Sequence, residues 1–316
     1  MLGGLMDAAA AANAEALARR EGKELVGKTR GLKTLTAVPQ TLLERKPEAC
    51  ASVLSGQGCL GVTEALTEST AAALLSYVEA ENARCQSAVL DGLVAFDARF
   101  GGVNCRGLSG GPFGQRQDLW LPLSAPAVRL AARELARNLK SLLRAVAGDQ
   151  VTLHEISSIV AEPGAPRQCV HADTIVLPCP QYPNVSMAPL WTFFVALQNV
   201  EDGMGHTQFL PYTHTPDAHV LWNAAARNER LKDRFIAAQP AMQSALRVGD
   251  AAAFDSRLLH CGCANESQKR RVLFYLTFSR DADWPLPDGL HGSNSIRAED
   301  KGRWTLQQLC DLEVEV

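Results

Sequence analysis

The sequence predicts a mainly β protein in which one barrel-like core is flanked by N-terminal helices and interrupted by an inserted helix. Two observations carry this prediction. Up to about residue 148, apolar residues recur with helical spacing in two long segments. From Gln150 the period changes to that of strands, with β-branched runs separated by glycine, proline and asparagine. Helices followed by many short strands are typical of a single β core supported by helices.

Two helices are predicted before the strands. The first follows Thr67, a residue type that favours the N-cap position, and its apolar face comprises Ala71, Leu74, Leu75, Val78 and Cys85. The second follows Pro126 and ends near Gly148, with an apolar face of Leu135, Leu139, Leu142, Leu143 and Val146. A short strand at 58–62 precedes both.

The remaining chain supplies the β core. Strand-like runs lie at 151–160, 169–177, 190–200, 207–210, 251–254 and 271–278. One helix is predicted at about 218–236 and another at 305–312. We expect residues 1–35 to form a helical N-terminal extension, and residues 36–316 to form a single domain whose core spans about 150–280.

Composition narrows the classes of partner. The formal net charge is -3 and no basic tract is present, so a nucleic-acid partner is not expected. No apolar run approaches the roughly 20 residues that span a bilayer.

The nine cysteines are odd in number and irregularly spaced, which favours reduced thiols in a cytoplasmic compartment. The N-terminus is rich in alanine but also carries acids, so import into an organelle is disfavoured but left open. Nothing in the sequence indicates an oligomeric state.

A candidate metal site begins with His171-Ala172-Asp173. Residues i and i+2 of a strand share a face, so an imidazole and a carboxylate can point at one ion. A further histidine would complete a facial triad of two histidines and one carboxylate. Such a triad leaves positions on iron open for a co-substrate and oxygen.

The strand at 271–279 assigns a role to one of two adjacent arginines. Alternation places Arg270, Val272, Phe274, Leu276 and Phe278 on a largely apolar face, which suits packing against helices. The opposite, mixed face suits a polar pocket and consists of Arg271, Leu273, Tyr275, Thr277 and Ser279. We therefore expect Arg271, rather than Arg270, to enter the pocket and bind the distal carboxylate of a dicarboxylate.

His260 is the favoured third ligand because this strand follows it. The rivals are His206, His214 and His219. His214 and His219 lie in what reads as a turn leading into a helix. No strand that opens with arginine follows either of them.

Taken in order, these motifs resemble the phytanoyl-CoA dioxygenase-like family of iron(II)/2-oxoglutarate-dependent oxygenases. The resemblance covers about residues 58–280. The matching pieces are Gln168 to Asp173, Gly205 to Pro211, Thr213-His214, Gly249-Asp250, Phe254 ahead of His260, and Asn265, Ser267 and Arg271.

The resemblance implies a double-stranded β-helix, of the jelly-roll or cupin-like type, with flanking helices. It implies Fe(II) held by His171, Asp173 and His260, with 2-oxoglutarate as co-substrate and O₂ as oxidant. It also implies that Gln168 lies near the co-substrate or the substrate. The function expected is hydroxylation of a small molecule, coupled to oxidation of 2-oxoglutarate to succinate and CO₂.

Two positions depart from the family. The usual proline-glycine-serine-histidine turn reads Pro211-Tyr-Thr-His214, and position 262, where several members carry a serine that assists the arginine, is glycine. A hydroxyl of Thr192 or Thr207 is the expected substitute. Two alternatives also stay open: a catalytically silent binding protein with this fold, and a cupin-like metalloprotein that does not use 2-oxoglutarate.

Other charged residues have simpler interpretations. Arg116 and Asp118 could recognise a polar substrate, but a solvated ion pair is the more common arrangement. His154 and Glu155 are adjacent in a strand, so we expect them to point to opposite faces.

Overall fold

The computed structural model describes residues 32–101, 113–179, 184, 188–225, 228–280 and 294–314. Its strands are β1 Lys33–Thr34, β2 Ala37–Pro39, β3 Cys59–Thr63, β4 Arg116–Trp120, β5 Thr152–Ala161, β6 Trp191–Ala196, β7 Thr207–Phe209, β8 Met242–Gln243, β9 Ala251–Asp255, β10 His260–Gly262 and β11 Arg271–Ser279. Its helices are α1 Gln40–Arg45, α2 Pro47–Gln57, α3 Glu68–Leu90, α4 Pro126–Ala147, α5 Pro216–Ala225, α6 Glu229–Ala238 and α7 Leu306–Cys310. A 3₁₀ turn covers Phe96–Ala98.

The strands form two sheets that enclose a cavity. The larger has the order β2-β3-β9-β6-β11-β5-β4, and the smaller has the order β1-β8-β7-β10. Strand β11 lies near the middle of the larger sheet, antiparallel to both β5 and β6. The predicted fold class, a mainly β double-stranded β-helix with flanking helices, is confirmed.

The outer face of the larger sheet is covered by helices, as the alternation in β11 predicts. Val272, Phe274, Leu276 and Phe278 share one hydrophobic cluster with the buried leucines of α4. Thr67 caps α3 by accepting a hydrogen bond from the Thr70 N–H, and α4 begins at Pro126 and ends before Gly148. Burying the apolar stripes of these helices fixes the larger sheet as a rigid wall.

A smaller cluster fills the space between the sheets. It includes Phe209 from β7, Phe254 from β9 and Leu273 from the inner face of β11. This cluster closes one part of the interior, and the remaining space is lined mainly by the polar residues described below.

Three expectations need correction or qualification. Residues 169–177 do not form a regular strand, because the N–H groups of Asp173 and Thr174 both bond the Ser256 carbonyl instead of a ladder partner. The helix predicted at 218–236 is two helices, and Asn228 caps the second one. Of the predicted N-terminal extension, residues 1–31 lie outside the described residues, while Lys33–Thr34 form a strand. Among the described helices, none combines the length and apolar character needed to cross a bilayer.

Candidate metal centre

The side chains of His171, Asp173 and His260 converge at one place. Their donor atoms all lie within 4.8 Å of one another. Asp173 Oδ1 is 3.6 Å from His171 Nε2 and 3.7 Å from His260 Nε2. Two imidazoles and a carboxylate are the donor set of a facial triad, so a single iron ion fits these residues.

Both histidines are held so that Nε2 faces the other donors. His171 Nδ1 bonds the Cys169 carbonyl at 2.8 Å, and His260 Nδ1 bonds the Leu258 carbonyl at 2.9 Å. Such bonds fix the ring and the tautomer, which leaves Nε2 as the donor to a metal. Burial, helped by neighbouring His260, lowers the pKa of His171 to about 4. The ring is therefore neutral at neutral pH, the form that binds a metal.

Local backbone contacts bring the three ligands together although residue 171 lies outside a regular strand. His171 and His260 exchange backbone hydrogen bonds of 3.0 and 2.8 Å as an isolated bridge. The Asp173 N–H bonds the Ser256 carbonyl at 2.9 Å. The smaller sheet thus extends by one residue pair, and that pair carries both histidines.

The rival histidines lie elsewhere. His214 Nε2 bonds the Ser55 carbonyl at 2.9 Å, and His219 Nε2 bonds the Arg257 carbonyl at 2.7 Å. His206 Nδ1 bonds the Ser244 carbonyl at 3.0 Å. In the described part of the chain, the cluster of His171, Asp173 and His260 is the one group of metal-binding side chains close enough to share an ion.

A cavity of about 310 Å³ adjoins the three donors and extends along the inner face of the larger sheet. Its wall contains every residue that the sequence analysis predicted for the site. These are His171, Asp173, His260, Arg271, Gln168, Thr207 and Thr192.

Arg271 enters this cavity, while Arg270 points outward. Arg271 is 2% exposed; one Nη donates a short hydrogen bond to the Gly205 carbonyl, and its Nε has no partner. Burial, and then the nearby Arg116, lower the pKa of Arg271 to about 9. Both effects disfavour the charged form, so a bound carboxylate would stabilise it. Arg270 instead pairs with Glu162 at 2.8 Å outside the cavity.

Arg116 is a cavity residue that sequence reasoning assigned to the solvent, and that assignment is wrong. It is 5% exposed and donates to the Pro166 and Cys263 carbonyls at 3.0 and 2.9 Å. It also donates to Gln168 Oε1 at 3.1 Å. Both Arg116 and Arg271 are paired with Ala161 across β5, so the two guanidinium-bearing residues lie at the same level of the sheet. We call Arg116 and Arg271 the arginine end.

The same contacts explain the glycine at position 262. A Cβ added there would lie 2.0 Å from Arg116 Nη1 and 2.7 Å from Gln168 Oε1. Gln168 Oε1 also accepts the Gly262 N–H at 2.9 Å. The space that a serine would occupy is therefore filled by the arginine and the glutamine.

The two threonines expected to help Arg271 lie at different levels. Thr207 is paired with Gly262 in the smaller sheet, close to the arginine end. Thr192 is paired with Thr277, and their hydroxyls are 3.0 Å apart. Thr277 lies six positions after Arg271 in β11, which is roughly 20 Å of strand. The structure therefore brings Thr207, and not Thr192, towards Arg271.

Asp118 and Glu155 also line the cavity, one and three inward-facing rows from the arginine end. Asp118 is 7% exposed, so its assignment to a solvated ion pair is wrong. The expectation that His154 and Glu155 face opposite sides is wrong too, because both line the cavity. The register of β5 against β11 shifts here, since Thr277 is paired with Glu155 but Phe278 with Leu153. The extra residue, His154, makes this a β-bulge, which redirects side chains. We call Asp118 and Glu155 the acid end.

Solved structures with a similar fold include two enzymes from nogalamycin biosynthesis and HygX from Streptomyces hygroscopicus. The α-ketoglutarate-dependent epimerase SnoN from nogalamycin biosynthesis is 19% identical with a TM-score of 0.55, over 81% of this chain and 91% of that one. The carbocyclase SnoK from the same biosynthesis is 18% identical with a TM-score of 0.51, over 84% and 96%. HygX from Streptomyces hygroscopicus, with nickel and 2-oxoglutarate bound, is 14% identical with a TM-score of 0.52, over 77% and 88%. These likenesses show the fold.

The family follows from the sequence itself. A search of curated proteins finds no significant match. The profile described as phytanoyl-CoA dioxygenase (PhyH), however, matches residues 55–273. That span is more than half of the 316 residues and contains the three candidate ligands and Arg271. The chain belongs to the phytanoyl-CoA dioxygenase (PhyH) family.

Proposed function

We propose that this protein is an Fe(II)- and 2-oxoglutarate-dependent dioxygenase that hydroxylates a small molecule. The observation that carries the proposal is one cavity that joins a three-donor metal site to a buried arginine with an unpartnered Nε. The metal site suits Fe(II), and the arginine suits the distal carboxylate of 2-oxoglutarate. When bound, iron, 2-oxoglutarate and O₂ would together supply the oxidising chemistry, with succinate and CO₂ as the co-products.

The residues have separate tasks in this proposal. His171, Asp173 and His260 hold the metal, and three donors leave room on it for further ligands. Arg271 binds the distal carboxylate through charge-assisted hydrogen bonds. Thr207 lies near enough to the arginine end to add a hydroxyl. Gln168 uses its oxygen to orient Arg116 and Gly262, so its amide N–H groups are available to the co-substrate.

The similar structures support the proposal that the protein uses a metal ion and 2-oxoglutarate. SnoN is described in complex with Fe³⁺, α-ketoglutarate and nogalamycin RO, and HygX with nickel, 2-oxoglutarate and hygromycin B. Because these neighbours include an epimerase and a carbocyclase, the fold does not select hydroxylation. Asp173 favours it over halogenation, since related halogenases carry a small residue at this position.

Neither of the two alternative functions explains why Arg271 is buried. A silent binding protein or a metalloprotein without 2-oxoglutarate would have no need for a guanidinium buried beside a second one. Burying a charged group costs on the order of several kcal/mol of desolvation free energy, unless a partner of opposite charge offsets that cost. A dicarboxylate co-substrate provides that partner.

Succinate formation tests the proposal without knowledge of the substrate. The purified chain, with Fe(II), ascorbate and 2-oxoglutarate in air, should release succinate slowly even in the absence of a second substrate. The His171→Ala and Asp173→Ala variants should not. Iron binding without any succinate would support the metalloprotein alternative, and neither iron binding nor succinate would support the silent binding protein.

A further inference from the structure

The inner face of the larger sheet separates charge along its length. Arg116, Ala161 and Arg271 form one cross-strand row at the arginine end. Asp118 lies in the next inward-facing row, and Glu155 lies opposite Thr277, six residues of β11 from Arg271. One cavity wall therefore carries two cations at one end and two carboxyl groups further along.

The carboxyl group of Asp118 is held by neutral donors. Tyr275 donates its hydroxyl at 3.0 Å, Ser295 donates at 2.5 Å, and Ser157 makes a short hydrogen bond. Burial raises the pKa of Asp118 above its usual range, although these hydroxyls oppose the shift. The ionised form thus lacks a cationic partner.

The carboxyl group of Glu155 is also held by neutral donors. Its contacts are the Ser295 N–H, at 3.1 Å, and the Thr277 hydroxyl. Burial raises the pKa of Glu155 to about 7 despite these two donors, and nearby Asp173 and Asp118 add to the effect. Ser295 contacts both acids, so the two carboxyl groups border one region of the cavity.

The hydrogen bonds described for Asp118 and Glu155 come from neutral donors. His154 is a candidate cation in the wall, but burial lowers its pKa to about 4, so it is neutral at neutral pH. Arg116 and Arg271 lie one inward-facing row from Asp118, and Arg116 donates to the Pro166 and Cys263 carbonyls and to Gln168.

The cavity is identified as a ligand site independently of the acids. Arg271 is 2% exposed, lines the cavity and has an unpartnered Nε. A dicarboxylate bound there satisfies the arginine end and leaves the acid end unmatched. That remaining wall is what a second, larger ligand would contact.

We propose that the oxidised substrate is an amine, whose ammonium group binds between Asp118 and Glu155. This rests on the proposed function, because it assigns the second ligand of the same cavity. The acids would hold the substrate at its charged end and present its carbon skeleton to the metal site. Asp118 and Glu155 are then specificity-determining residues.

An ammonium group fits better than a hydroxyl group for an electrostatic reason. The hydrogen-bonding capacity of the acids is already partly met by hydroxyl and N–H donors, so another neutral donor adds little. Asp118 is buried and Glu155 is partly buried, so their carboxylates are poorly solvated and repel each other, and a bound cation offsets both costs. A carboxylate-bearing substrate would be repelled.

Matched probes test this by ligand-observed NMR. The full chain is loaded with Ni(II), which prevents turnover, and with 2-oxoglutarate. Three pairs are titrated at neutral pH: cyclohexylamine and cyclohexanol, 2-phenylethylamine and 2-phenylethanol, glucosamine and glucose. The amine of at least one pair should bind about tenfold more tightly than its alcohol, the size of one charge-assisted contact.

Variants locate the preference. Glu155→Gln should reduce it to about twofold or less, as expected when an ionic contact becomes a neutral one. Asp118→Asn should act in the same direction, and is the second variant in case one of them folds poorly. Glu162→Gln is the matched control, because Glu162 pairs with Arg270 outside the cavity and its loss should leave the preference intact.

Three results would overturn the inference. One is that no amine outranks its alcohol in the wild type. Another is that both acid variants keep the preference, or that Glu162→Gln also abolishes it. If the wild type binds Ni(II) and 2-oxoglutarate but shows no preference, only the amine inference fails. If it binds neither, the proposed function fails as well.

Discussion

Strand β11 and the segment His171–Thr174 reach the same cavity by different means. Every residue of β11 is buried, and two neighbouring strands fix its register. The segment has no ladder, and two backbone hydrogen bonds with His260 and two to the Ser256 carbonyl hold it in place. The difference teaches that alternation is reliable where a strand has neighbours on both sides, whereas the metal ligands depend on a few local contacts.

Because the two regions hold different ligands, we expect substitutions in them to have different effects. Changes in the irregular segment and in β10 should act on the metal, since those residues supply its donors. Changes at the arginine end should act on 2-oxoglutarate and leave metal binding in place.

The largest effect is expected from the metal ligands. His171→Ala, Asp173→Ala and His260→Ala should each abolish iron-dependent succinate formation, because a facial triad acts as a unit, and double variants should be no worse than singles. His214→Ala is the control, since His214 Nε2 bonds the Ser55 carbonyl away from the cavity. An active His260→Ala together with an inactive His214→Ala would show that the third ligand is misassigned.

The next effect separates the two arginines. Arg271→Ala should weaken 2-oxoglutarate binding by about 2–5 kcal/mol, because the buried carboxylate loses its charge-assisted partner. Arg271→Lys should be intermediate at best, because the ammonium lacks the planar fork. The measurement is a 2-oxoglutarate titration of the anaerobic iron protein. Arg270→Ala is the matched control and should change little; if it is the damaging variant, the inward assignment of Arg271 fails.

A smaller effect is expected at position 262. Gly262→Ala places a Cβ against Arg116 and Gln168, whose side-chain ends must move. Overpacking of this kind costs about 1–3 kcal/mol, and we expect it to appear as weaker 2-oxoglutarate binding. Gly56→Ala is the control, because nothing lies within 4 Å of its added Cβ. Unchanged binding in Gly262→Ala would mean that Arg116 and Gln168 do not position the co-substrate.

The smallest effect should separate the two threonines. Thr207→Val should weaken 2-oxoglutarate binding by about 0.5–1.5 kcal/mol, the net value of one hydrogen bond. Thr192→Val should leave that affinity unchanged, because Thr192 bonds Thr277 far from Arg271. Its effect should appear in thermal stability instead, as the loss of a cross-strand pair. The reverse order of affinities would place the co-substrate at the wrong end of the cavity.

The sequence predicted the scaffold and the inward direction of Arg271, because helical and strand periods report burial directly. It did not predict that Arg116 and Asp118 are buried. Those side chains look solvated in a sequence, and their burial depends on the pairing of β4 with β5 at the far edge of the sheet. Nor did it predict that Glu155 faces the cavity, since a β-bulge breaks the alternation. The glycine at 262, read as a missing hydroxyl, was the one available sign that another side chain fills that space.

The most direct test of the central claim is an anaerobic titration of the full chain. Fe(II) is added first and 2-oxoglutarate second, while visible absorption is recorded. The account predicts that about one equivalent of iron binds per chain and that 2-oxoglutarate then produces a metal-to-ligand charge-transfer band, because the triad leaves sites open for chelation. The band should be absent in Asp173→Ala and should need far more 2-oxoglutarate in Arg271→Ala. A folded, iron-loaded wild-type protein that shows no band at any concentration of 2-oxoglutarate would contradict the account.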